Sequence, residues 1–246
     1  LEGFAAQHVS YVSGRHVLHV VEEPTIERRQ RMQWIDISRP LAPSTAVWPG
    51  DQPVEWSWTM QIDSGQSVNV GALLTSVHAA THADAPMHIS NEGRTIDELP
   101  IESFIGPADV VSVSGSEVTV DDVGDIESRR VLFRTSASEV PTTQWPDQIT
   151  SIHPAAVQSL AQRNVVLIGT DAPSIDPLDS TSLDAHHAVA AHDMVHLEGL
   201  DLRSIAPGSY TLSALPIKIS GADAAPVRAA LSPVEPSVTP SEASDR

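Results

Sequence analysis

Between positions 78 and 88 the chain reads His78-Ala79-Ala80-Thr81-His82-Ala83-Asp84-Ala85-Pro86-Met87-His88, which gathers three imidazoles and a carboxylate into one short stretch. Imidazole nitrogens and a carboxylate oxygen suit Zn²⁺, Mn²⁺ or Fe²⁺. A carboxylate has two oxygens and can bridge two ions. The chain contains no cysteine, so a transition metal must be held by His and carboxylates, without the thiolates that usually close a structural site. That favours a catalytic centre with a position left open for water, whose pKa a bound Zn²⁺ lowers to about 7. A lone His-x3-His pair is a weak signal, because single histidines are usually surface residues; Asp84 and His88 so close by raise its specificity.

A second cluster lies about a hundred residues on, in Asp184-Ala185-His186-His187-Ala188 and then His192-Asp193-Met194-Val195-His196-Leu197-Glu198-Gly199-Leu200. On a helix His186 and His187 point about 100° apart, so both are not expected to serve one ion. His187, His192 and His196 read as solvated polar residues around a helix end. Glu198 is different. It sits in an apolar run, where an unpaired buried charge would be costly. A metal would neutralise it, and so would an Arg.

The elements that position these groups are short. Trp34 to Ser38 alternates like a strand, and residues 69–77 read as a mostly buried strand leading into an irregular metal loop, since Pro86 restricts the backbone and Ala85 before it is pushed from helix. Val110 to Val113, Val131 to Thr135, Val165 to Gly169 and Tyr210 to Leu215 read as further strands. Pro154 starts a helix that Asn164 ends, and a second helix covers Ser182 to Ala191 with caps from Asp179 to Ser182. Interleaved strands and helices make the class α/β.

Composition narrows the function. Net charge is −18 with His neutral, which argues against nucleic acid and against an anionic membrane surface. No apolar run approaches the roughly 20 residues of a membrane span. Residues 1–31 lack the marks of a signal peptide and read as an N-terminal extension, with Met32 a candidate start and the cytoplasm the expected setting. Residues 32–231 read as one domain. Residues 232–246, rich in Pro, Ser and Glu, read as a disordered tail.

The stretch His78 to His88 resembles the His-x-Gly-Thr-His-x-Asp-x-Pro-x-His signature of the arylformamidase and cyclase-like metal hydrolases. Trp48-Pro49-Gly50-Asp51, Ser174-Ile175-Asp176-Pro177, Asp184-Ala185-His186-His187-Ala188, Leu197-Glu198-Gly199, Ala214-Leu215-Pro216-Ile217-Lys218 and Asp223-Ala224-Ala225-Pro226-Val227-Arg228-Ala229 also resemble elements of the bacterial kynurenine formamidases. The resemblance covers about residues 33–231.

It implies a single compact domain with a mixed, barrel-like β centre and flanking helices, of the swivelling β/β/α type, and a homodimer. It implies hydrolysis of the linear aryl formamide N-formyl-L-kynurenine, with two Zn²⁺ per subunit, Mn²⁺ being an alternative. His78, His82 and Asp84 would hold one ion, and Asp84 would bridge to a second held by His186 and Glu198. His88 would carry protons and Trp48 would contact the aryl ring. The family has Gly where this chain has Ala80, which would cost stability if that position needs positive φ. A cyclic-amide hydrolase of the isatin type, or a non-catalytic metal-binding relative, would share the same loop.

Overall fold

The β-branched runs of the sequence become short strands. The computed structural model describes residues 33–234. In chain order its strands are β1 (Ile35–Asp36), β2 (Glu55–Met60), β3 (Val70–Leu74), β4 (His82–Asp84), β5 (Ile105–Ser112), β6 (Glu117–Val118), β7 (Arg130–Arg134), β8 (Ser151–Ile152), β9 (Leu167–Thr170), β10 (Val195–Glu198), β11 (Gly208–Ser213), β12 (Ala224–Pro226) and β13 (Ala230–Pro233). The two α-helices are α1 (Pro154–Gln162) and α2 (Asp184–Ala191). The expected N-terminal extension, with Met32, and most of the expected tail lie outside the described residues. Ser232 and Pro233, which composition assigns to the tail, belong to β13 and pair with Thr211 and Tyr210 of β11. Among the described residues no helix is long and apolar enough to cross a membrane.

Nine strands form one mixed sheet, ordered β1-β13-β11-β5-β7-β9-β10-β4-β12. Its centre, from β5 to β10, is parallel, and α1 and α2 lie in the connections β7-to-β9 and β9-to-β10, as parallel neighbours require. The flanking strands are antiparallel. The sheet curls into a half-barrel: Ser38, just past β1, bridges Leu200, just past β10, and the Asp201 N–H donates to the Ile37 carbonyl at 2.9 Å. The α/β class and barrel-like β centre expected from the sequence are those of the structure.

Alternation along the strands sorts side chains into two layers. Ala83, Leu132, Leu167, Val195 and Leu197 join the core enclosed by the curl. Val131, Phe133 and Ile168 face the other way, against Val157 and Leu160 of α1 and Ala185 and Val189 of α2. The same alternation puts His82 and Asp84 of β4, and His196 and Glu198 of β10, on the face that α2 covers. Burying Leu197 fully contributes roughly 1.5–3 kcal/mol, and such inner-face burial keeps β4 and β10 paired although each carries acidic groups on its other face.

Three expectations need correction. The 69–77 segment is not buried: β3 pairs only with β2, and both strands of this hairpin are exposed throughout. Among the described residues the hairpin lies outside the main sheet and no second layer covers it. The metal loop is not wholly irregular, because His82 to Asp84 forms a central strand whose backbone is satisfied by β10 and β12. The α2 cap comes only in part from Asp179 to Ser182, where the Ser180 hydroxyl accepts the Leu183 N–H at 3.1 Å. Leu183 takes the N-cap position in left-handed geometry, φ 49°, and Asp176 accepts the N–H groups of Ala185 at 2.9 Å and His186 at 3.1 Å. The start of α1 meets expectation: Pro154 occupies its first turn and the His153 side chain accepts the Ala155 N–H.

Candidate metal centre

Strand register builds the centre. On antiparallel β4 and β10, Asp84 lies opposite His196 and His82 lies opposite Glu198. These four side chains are buried, and His186 on the first turn of α2 descends onto them. His187, one position on, is exposed, as the helical rotation between neighbours requires. His78 enters from the loop before β4. Its Nδ1 lies 3.0 Å from Asp84 Oδ1 and its Nε2 2.8 Å from Asp223 Oδ2. His82 Nε2 lies 3.3 Å from Asp84 Oδ1 and 3.4 Å from Glu198 Oε2. His186 Nε2 lies 3.6 Å from Asp84 Oδ2 and 3.5 Å from Glu198 Oε1. The structure thus brings together His78, His82, Asp84, His186 and Glu198, and leaves His88 and Trp48 on the open side.

Two groupings share Asp84: His78 with His82, and His186 with His196 and Glu198. Among the described residues Glu198 takes its ion pairs from imidazoles and not from an Arg. Although His78 Nδ1 stands 3.0 Å and His82 Nε2 3.3 Å from Asp84 Oδ1, neither contact is aligned as a hydrogen bond, and buried His82 Nε2 and Asp84 Oδ1 are left without one. An orphaned ring nitrogen beside an orphaned carboxylate oxygen is costly in a dry interior, and a divalent cation satisfies both. The donor set of nitrogen and oxygen atoms fits such an ion.

Electrostatics say the same. Burial opposes a charge on His82, but the carboxylates of Asp84 and Glu198 outweigh it and raise its pKa to about 10. His186 also reaches about 10, against burial, through its bond to Asp176 and the nearby Asp84 and Glu198. Asp84, despite burial, is held well below the ordinary carboxylate range by His82 and the imidazoles of His186, His196 and His78. The site therefore demands positive charge, which protons supply when no metal is bound. In metal-free protein the folded imidazoles keep their protons up to about 10 while unfolded ones lose them near 6.5. That stabilisation is complete below pH 6.5 and lost as pH rises through 10. The melting temperature of chelator-treated protein is expected to fall across this window, and a bound divalent ion, by replacing the protons, to flatten the trend. Circular-dichroism melts with and without chelator provide the check.

Supporting contacts hold the ligands in place. His186 Nδ1 lies 2.6 Å from Asp176 Oδ2, which leaves Nε2 facing the cluster. The Ile175 N–H donates to Glu198 Oε1 at 2.8 Å. The Trp48 to Asp51 turn is tied to the loop by the Ser76 hydroxyl, which donates to Asp51 Oδ2 at 2.9 Å and accepts the His78 N–H at 3.2 Å.

Ala80 has φ 58°, so the position does require left-handed backbone. The loop keeps its shape because Thr81 donates to the Gly199 carbonyl at 2.6 Å and accepts the Arg39 N–H at 2.8 Å. Gly199 must itself lack a side chain: a Cβ there would meet the Ala80 carbonyl oxygen at 2.1 Å. Replacing Ala80 with Gly removes roughly 1–2 kcal/mol of left-handed strain and adds about 0.4–1 kcal/mol of unfolded-state entropy. Ala80→Gly is expected to raise the melting temperature by about 1–4 °C in a calorimetric scan.

The cluster opens into a cleft of about 790 Å³ bordered by Trp48, Trp145, His88 and Asp223. The Trp48 and Trp145 rings meet edge-on at 5.2 Å. The His88 side chain is 31% exposed, and its Nδ1 is 3.5 Å from Asp223 Oδ2. Partial burial lowers the His88 pKa, against the pull of Asp84, so the imidazole is neutral at pH 7.

The family profile described as "Putative cyclase" matches residues 35–177. A kynurenine formamidase of Salinibacter ruber (strain DSM 13855 / M31) is 50% identical over 206 residues, spanning 81% of this chain and 97% of that protein. This chain belongs to the cyclase family. A kynurenine formamidase of Bacillus cereus (strain ATCC 10987 / NRS 248) is 39% identical over 210 residues, spanning 82% and 98%. Among solved structures, a potential metal-dependent hydrolase with cyclase activity aligns with TM-score 0.71 at 25% identity, over 83% of this chain and 99% of the other.

Sequence reasoning missed four positions in or around this family site. His196, read as a solvated residue, is 5% exposed and faces Asp84. The missed signal was period two: in Val195-His196-Leu197-Glu198 the His shares a strand face with Glu198. Asp176 and Asp223 lie in segments that carried the resemblance but had no assigned role. Trp145 had no local signal, because only the fold brings it to Trp48.

Proposed function

We propose that this chain hydrolyses N-formyl-L-kynurenine to L-kynurenine and formate, a step of tryptophan degradation. The observation that carries the reading is Asp84, a buried carboxylate shared by two imidazole groupings, whose members His78, His82, His186 and Glu198 line an aromatic-edged cleft. The likeness to two kynurenine formamidases supports the substrate. His78, His82 and Asp84 would hold one Zn²⁺, and Asp84, His186 and Glu198 a second; Mn²⁺ suits the same donors. Such ions supply Lewis acidity, which acidifies water and polarises a carbonyl oxygen.

The chain's own residues do the rest. Trp48 and Trp145 offer flat apolar surfaces to an aryl ring. His88, neutral at rest, accepts a proton from the attacking water through its free ring nitrogen and returns it to the anilide nitrogen as the C–N bond breaks. Asp223 beside it steadies the charged imidazolium. Parallel assays test the substrate: turnover of N-formyl-L-kynurenine with little or none of isatin is expected, and the reverse preference would overturn the assignment.

The same reading sets the enzyme in the cytoplasm as a homodimer. Trp56, Trp58, Leu73 and Leu74 on the β2–β3 hairpin are each about half exposed, a costly apolar display for an isolated subunit. A second copy of this chain is the proposed cover. Leu73→Asp is expected to shift sedimentation from dimer to monomer; a wild-type chain that sediments as a monomer would contradict the homodimer.

A further inference from the structure

We propose that His196 is a fourth protein ligand of the cation position formed by Asp84, His186 and Glu198, so that the two positions beside Asp84 bind their ions unequally. The inference rests on reading the cluster as a metal centre, and goes beyond it in the ligand count. His196 Nε2 lies 3.2 Å from Asp84 Oδ2 and 3.7 Å from Glu198 Oε1. His186 Nε2 stands 3.6 Å and 3.5 Å from the same two oxygens. These separations, 3.2 to 3.7 Å, are four of the six edges of one tetrahedron of ligand atoms. A tetrahedral ion with bonds of about 2.0–2.2 Å has ligand atoms about 3.3–3.6 Å apart. His196 Nε2 is within hydrogen-bond distance of Asp84 Oδ2 alone, but its ring meets the His186 ring edge to face at 4.8 Å, and the two nitrogens stand over the same pair of oxygens from Asp84 and Glu198.

The other position is closer to solvent. It is served by His78, His82 and Asp84, and the His78 side chain is 18% exposed towards the cleft, against 5% for His186 and 6% for His196. The position backed by His196 is therefore closed and retentive. The position at His78 keeps room for water and substrate.

The test is stepwise removal of zinc from the full chain with a graded chelator, reading bound metal by mass spectrometry. Wild-type protein is expected to release its ions in two steps. His196→Gln keeps a donor for Asp84 but offers a poor ligand, and His196→Leu offers neither. Both should weaken the tighter step at least about a hundredfold and change the visible spectrum of the Co²⁺-loaded protein. If Gln matches wild type in affinity and spectrum while Leu does not, His196 merely orients Asp84 and the proposal fails. If both variants match wild type, it fails as well. The unaltered protein gives a check independent of variant folding: ¹⁵N-histidine spectra on zinc addition should show four coordinated imidazoles, and three would overturn the proposal. Wild-type protein that is folded yet takes up no ion would instead defeat the underlying metal reading.

Discussion

His88→Ala is expected to lower turnover of N-formyl-L-kynurenine by roughly a hundredfold or more, the usual worth of a general acid–base group, while leaving metal content close to wild type. The separation follows from position. His88 sits on the single turn Pro86–His88 after β4, at the cleft mouth, and touches Asp223 and the His78 ring but no carboxylate of the buried cluster. An anilide nitrogen is a poor leaving group until protonated, and His88 is the imidazole placed to supply that proton from the open side. Because its pKa is lowered, the limb of the rate profile that reports a neutral His88 should lie below pH 6.5 and vanish in the variant. Metal analysis alongside steady-state rates checks both halves. Loss of metal together with rate would make His88 a ligand.

Asp84→Asn should do more damage than any other single change. Asp84 is 2% exposed and lies within 3.6 Å of His78, His82, His186 and His196. The amide removes the charge that both groupings share and places an NH₂ donor where an electron pair is needed. Bound metal should fall to less than half of the wild-type amount. Turnover should fall by about a thousandfold or more, since Lewis-acid stabilisation worth several kcal/mol is lost at ~1.4 kcal/mol per decade. The metal-free variant has a second signature. Without the Asp84 charge, His82 loses the chief attraction that offsets its burial, so the loss of stability between pH 6.5 and 10 should shrink. Full metal content in Asp84→Asn would remove Asp84 from the centre of the account.

Much of this site was legible because chemistry and periodicity agree locally. The His78 to His88 stretch concentrates metal-binding groups too closely for ordinary surface residues, and Glu198 stands out as a charge in an apolar run. Pro154 and Asn164 marked α1 because their backbone preferences act over one or two residues. Signals that depend on long-range pairing were harder to read. His196 looked like a helix-end residue until β10 paired with β4 and turned it inward. Ser180 contributes to the start of α2 from nearby, but the first helical N–H groups go to Asp176, which reaches them across a loop. The hairpin shows the converse. Residues 69–77 read as a strand and β3 lies there, but an apolar run says nothing of whether the main sheet will adopt it, and the alternation of Trp56, Trp58 and Met60 with Glu55, Ser57 and Thr59 went unread.

Adding Zn²⁺ stepwise to chelator-stripped protein while following N-formyl-L-kynurenine hydrolysis probes the central claim most directly. The account predicts negligible rate without metal and a rise that levels off at two ions per chain. Full activity in the stripped protein, or zinc uptake at that stoichiometry with no hydrolysis, would contradict it.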